Sequence, residues 1–190
     1  MKTGILACIA ALAASPAFAD EAAYRIDPTH TFPSFEADHL GLSVWRGKFD
    51  RNSGLLTFDK ARGTGTITVA VDMSSVDFGL DVLDRWAQGA EFFDVMKFSQ
   101  TIYQGRFSGF KAGEEPRVTG ELTLHGVTKP VDLKVNFFKC MQHPVEKRDW
   151  CGADALATIN RDEFGLGIGK EFGLGMQVTL RIQVEAIAVR

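Results

Sequence analysis

The chain has 190 residues, 45% hydrophobic and 24% charged, with a formal net charge of −3. That composition fits one globular domain and excludes collagen-like, coiled-coil and disordered classes. Twenty-one basic residues against 24 acidic ones leave no electrostatic footprint for nucleic acid.

The N-terminus places Lys2 before an apolar run from Ile5 to Leu12 and ends in Ala17-Phe18-Ala19. This is the pattern of a secretory signal peptide, with cleavage expected after Ala19. Residues 20–190 would remain as one domain, and loss of Lys2 takes the net charge to −4. Ile5-Leu6-Ala7-Cys8 loosely resembles a lipoprotein site, but almost no apolar stretch precedes that cysteine. The mature protein is therefore expected to be exported to the periplasm.

Turn signals at Asn52-Ser53-Gly54, Arg62-Gly63, Lys111-Ala112-Gly113 and His125-Gly126 separate segments of period-two alternation. Ile67, Val69 and Val71 share one face of Thr64–Asp72. Val131, Leu133, Val135 and Phe137 alternate with Asp132, Lys134, Asn136 and Phe138. Met176, Val178, Leu180, Ile182 and Val184 form the clearest apolar stripe. Between the strand groups, Leu80, Leu83, Ala87 and Ala90 recur at helical spacing over Asp81–Ala90, with Gly89 fraying the end. A meander of such strands closes most economically into a barrel, which removes its edges and holds either side chains or one small ligand.

Removing the signal leaves Cys140 and Cys151, with ten residues between them. In an exported chain a disulfide is the expected state, stabilising by about 2–3 kcal/mol on the chain-entropy model. Metal ligation and redox catalysis are the competing readings; no Cys-x-x-Cys is present, and His143 is the nearest additional ligand.

The motifs of common chemistries fail. Gly165–Glu171 lacks the first glycine and the Ser or Thr of a phosphate loop, and Lys170 replaces the third glycine of a dinucleotide fingerprint. It reads as a flexible loop before the last strand. His30, His39, His125 and His143 form no zinc-type pair, no Gly-x-Ser-x-Gly elbow occurs, and no Cys-x-x-Cys-His attaches haem. No metal or cofactor is expected. Asp84, Glu91 and Asp94 are the acids an enzyme acting on a bound lipid would use. What stands out is aromatic: fifteen Phe, including Phe35, Phe49, Phe58, Phe92, Phe93, Phe98, Phe107 and Phe110, with Trp45 and Trp86. Composition alone reads as a packed core, with an apolar lipid pocket as the alternative.

Four stretches tip that balance. They are Tyr24–His30; His39–Ser43 with Gly47-Lys48-Phe49; Ser75-Val76-Asp77 leading to Phe92-Phe93-Asp94-Val95; and Thr119–Val131. Together they resemble the YceI-like family of exported, lipocalin-like proteins. The resemblance implies a mainly β fold, an extended eight-stranded antiparallel barrel with one short helix. It further implies an apolar tunnel for an isoprenoid chain, such as a quinone tail or polyprenyl phosphate, or another amphiphile, with no catalysis. Many relatives have an Arg-Asp pair where this chain has Leu83-Asp84, and a proline where it has Ser99 after Phe98. Expected tunnel residues are Phe35, Phe49, Ile67, Val69, Val71, Leu83, Trp86, Phe92, Phe93 and Phe98. Two other readings stay open: a quinone- or haem-binding module serving a membrane redox protein, and a lipid-modifying enzyme. Transient membrane contact and homodimerisation are also left open by the sequence.

Overall fold

The computed structural model describes residues 21–189; the expected signal peptide, with Cys8, lies outside the described residues. Along the chain run β1 (Ala22–Ile26), β2 (Phe32–His39), β3 (Ser43–Phe49), β4 (Asn52–Asp59), β5 (Thr64–Asp72) and β6 (Val76–Asp77). Helix α1 (Asp81–Gln88) follows, then β7 (Gln100–Ser108), β8 (Arg117–Leu124), β9 (Val127–Pro130), β10 (Leu133–Gln142), β11 (Asp149–Asn160) and β12 (Gln177–Ala188).

Three pairs of these segments are single wall strands with a break. β1 and β2 lie end to end along β12, pairing Tyr24 with Ala188 and Phe32 with Gln183. Pro28, which has no N–H to donate, falls in the gap, where the Asp27 carboxylate accepts from the Thr29 N–H at 2.9 Å. β3 and β4 are separated at Asp50 and Arg51, whose N–H groups donate to the Ser75 carbonyl and hydroxyl, both at 3.0 Å. β5 and β6 are separated by the 3-10 turn Met73–Ser75. Every pairing is antiparallel, and β1 against both β4 and β12 closes the circuit. The wall therefore has eight strands, as an eight-stranded antiparallel barrel with one helix. Closure removes most of the wall's free edge; the β3–β6 and β8–β10 contacts are short, two residue pairs each.

Two local expectations are corrected. Asn52-Ser53-Gly54 is not a turn but the start of β4, paired with Val71-Ala70-Val69; the interruption falls earlier, at Asp50-Arg51, and is a break in one wall strand tied to Ser75. In β10 the register shifts between Val135 and Phe137. One extra residue reverses the alternation, so Phe138 points inward and Phe137 is left 57% exposed. Cys140 and Cys151 face each other across β10 and β11 and are joined by the expected disulfide.

Candidate functional site

The core is not filled. Inward side chains of the wall enclose a cavity of about 620 Å3, within the roughly 300–1,000 Å3 usual for small-molecule sites. Part of the reason lies in β11, whose inward row is Cys151, Ala153, Ala155 and, near its end, Ile159. Inward rows on other strands are larger: Ile67, Val69 and Val71 from β5, and Leu180, Ile182 and Val184 from the adjacent β12. Glycines let aromatic rings lie flat against the wall. A Cβ at Gly120 would stand 2.6 Å from the Tyr103 hydroxyl, and one at Gly47 would stand 2.5 Å from the Phe35 ring.

The two ends differ. At the disulfide end, Phe110 sits 5.0 Å from Phe107 and 4.8 Å from Phe138, and Phe58 lies 5.8 Å from Phe138. Phe58 and Phe110 are buried, so this end is plugged by aromatic edges and faces. The Tyr24 hydroxyl donates to Asp149 there; burial, then that bond, raises the phenol well above its ordinary value.

At the other end the lining reaches solvent. Trp45, Trp86 and Phe172 line the cavity and are all exposed, Phe172 to 77%. Trp86 stacks on Phe92 at 5.1 Å, Phe92 touches Phe93 at 4.5 Å, and Phe93 reaches Phe49 at 5.9 Å. Helix α1 is held in place by Asp84, whose carboxylate accepts from the Phe78 N–H at 2.7 Å. On the opposite lip, His39 stacks on Trp45 at 4.1 Å behind a tight turn with Leu40 and Gly41 at positive φ.

The third lip is the glycine-rich segment. The sequence suggests a flexible loop, but two 3-10 turns, Arg161–Phe164 and Lys170–Phe172, fold it across the mouth. Phe164 and Leu166 are buried, and the His125 ring nitrogen bonds the Phe164 carbonyl at 3.2 Å.

Nine of the ten expected tunnel residues line this cavity: Phe35, Phe49, Ile67, Val69, Val71, Leu83, Trp86, Phe92 and Phe93. Phe98 does not. It packs on His125 at 4.3 Å and over Gly126, because the chain has already left the mouth through Asp94 and its positive φ. Lining residues missed in the sequence include Leu56, Tyr103, Phe138 and Arg161. Alternation along β4 could have found Leu56; the β10 bulge hid Phe138. Asp84, Glu91 and Asp94 lie outside the lining; Asp94 pairs with Lys97 at 3.4 Å.

Polar groups on the wall are few. The Tyr103 hydroxyl donates to the Val131 carbonyl at 2.9 Å, and burial raises its phenol far above the ordinary range. Among the described residues the buried Thr101 hydroxyl has no hydrogen-bond partner. Arg161, 8% exposed, donates from Nη1 to the Leu166 carbonyl at 2.5 Å and from Nε to the Gly175 carbonyl at 3.3 Å. Its guanidinium lies 5.9 Å from the Phe92 ring centre, and burial lowers its pKa from the ordinary value.

A model of the YceI-like domain matches residues 24–186. The chain belongs to the YceI-like family. Protein YceI of Salmonella arizonae is 38% identical over 192 residues, covering 98% of both chains. Among YceI-like and related solved structures, Burkholderia cenocepacia BcnA superposes with a TM-score of 0.68 at 21% identity, over 84% of this chain and 98% of that one. A polyisoprenoid binding domain from Saccharophagus degradans, implicated in plant cell wall breakdown, superposes with a TM-score of 0.61 at 18% identity, over 89% and 99%. These two likenesses show a shared fold.

Proposed function

We propose that this YceI-like barrel is an exported carrier that holds an isoprenoid or similar long-chain amphiphile, without chemical change, in its apolar cavity. The observation that carries the reading is a wall-lined void with one plugged end and one aromatic mouth. Each five-carbon unit withdrawn from water gains up to about 4 kcal/mol. Chain ordering and association offset much of that gain. The polyisoprenoid binding of the Saccharophagus domain, on the same fold, supports this class of cargo. A periplasmic location fits the Cys140–Cys151 disulfide, which persists in an oxidising compartment, and the signal-like N-terminus.

Native mass spectrometry of protein purified without detergent, followed by organic extraction, tests this. A bound lipid, or stoichiometric uptake of added farnesol, is expected. Protein that is empty and takes up no isoprenoid would rule the reading out. A Soret band in freshly isolated protein would replace it with a haem carrier.

A further inference from the structure

We propose that Arg161 is a head-group anchor, so that the cavity selects amphiphiles with an anionic head, a phosphate or a carboxylate, seated at its mouth. The inference rests on the carrier reading above and assigns the polar end of the cargo.

Arg161 is a buried cation on a mostly apolar wall. Its acceptors are two neutral carbonyls, of Leu166 and Gly175. Among the described residues no carboxylate pairs with it, although the chain offers two nearby. Asp162 is taken by Lys170 at 2.5 Å. Asp38, which also lines the mouth, accepts from the Gly41 N–H at 2.9 Å. A charge removed from water is costly unless it is paired, and two carbonyl bonds use only part of a guanidinium's five donors. Among the described residues Nη2 has no protein acceptor. The planar fork suits a two-oxygen anion better than a hydroxyl.

Position agrees with chemistry. Arg161 follows directly on β11 and lies beside Phe92, at the open end. A tail threaded toward Phe58 and Phe138 leaves its head at this lip. A role limited to pinning the 165–175 segment would need the same two carbonyl bonds but would be indifferent to the charge of the cargo.

The test uses three ligands with one tail: farnesyl phosphate, farnesoic acid and farnesol. Affinities are measured by displacement of an apolar fluorescent reporter from the wild type, Arg161→Lys and Arg161→Met. Wild type is expected to prefer at least one anionic ligand over farnesol by ten- to a hundredfold, the range a charge-assisted bond supports. The better anion tells a phosphate-selective site from a carboxylate-selective one. Arg161→Met should lose that preference, the ratio of anionic to farnesol affinity falling to about one, and Arg161→Lys should keep part of it. Equal binding of all three by wild type, or a preference that survives in Arg161→Met, overturns the anchor and leaves the carrier reading intact. Uptake of none overturns the carrier reading itself. Should Arg161→Met fail to fold, the wild-type comparison and Arg161→Lys still decide.

Discussion

Gly120 and His30 show how single positions hold this barrel. Gly120 lies beneath Tyr103, and a methyl group there would meet the tyrosine hydroxyl and the Gln104 carbonyl, at 2.6 and 2.5 Å. Gly120→Ala must displace backbone or break the Tyr103–Val131 bond, at a cost of roughly 1–3 kcal/mol. Thermal unfolding should show a midpoint lowered by roughly 2–12 °C; an unchanged midpoint would refute the contact. His30 bonds the Asp27 carboxylate at 2.8 Å across the gap between β1 and β2. That bond, aided by the Asp27 charge and more weakly by Glu185, raises the imidazole pKa above its ordinary value against the opposing effect of burial. At Asp27 burial pushes the other way, but the bonds from Thr29 and His30 outweigh it and hold the carboxyl below its usual range. The imidazole's contribution is therefore complete below the unfolded value of about 6.5 and fades as pH rises through the higher folded value. The carboxyl's contribution is lost only at strongly acidic pH. His30→Gln should melt below wild type at about pH 5.5, with the gap closing toward about pH 9. Solvent screening limits the effect to below about 1 kcal/mol. A gap that widens with pH would contradict the pairing.

Elements were legible to different degrees, and the reason is register. β5 and β12 keep an unbroken period of two, so their inward rows can be read directly from the residue string. β10 loses that period at its bulge, which alternation alone does not announce. The glycine-rich segment carries no period at all, and only burial of Phe164 and Leu166 against the barrel makes it a lip rather than a free loop. The disulfide joins two elements that the hairpin already pairs. Its loop is short, so Cys140→Ser with Cys151→Ser should cost about 3 kcal/mol on the chain-entropy model. That corresponds to a midpoint lowered by roughly 6–12 °C, with lipid uptake retained. Loss of uptake in a folded double variant would mean that the plugged end depends on the bridge.

At the scale of the whole molecule the cavity is a difference between two volumes, the space the wall encloses and the side chains that enter it. Ala155 tests that difference. It is 5% exposed on the inward row of β11, and Ala155→Phe would place a ring in the void. The variant should fold, since the ring occupies space rather than displacing packed neighbours, and should lose most isoprenoid uptake in native mass spectrometry. Full uptake would show that cargo sits elsewhere. Family, strand content, the helix and nine of the lining residues, among them Ile67, Val69 and Val71, were determined by the sequence by itself, because alternation and family motifs are local patterns. Barrel closure through β1 and β12, the split of the aromatics into plug and mouth, and the placement of Arg161 were decided only by tertiary structure. Those features depend on residues far apart in the chain, and no local pattern encodes which of two inward rings meets a neighbour and which faces a void.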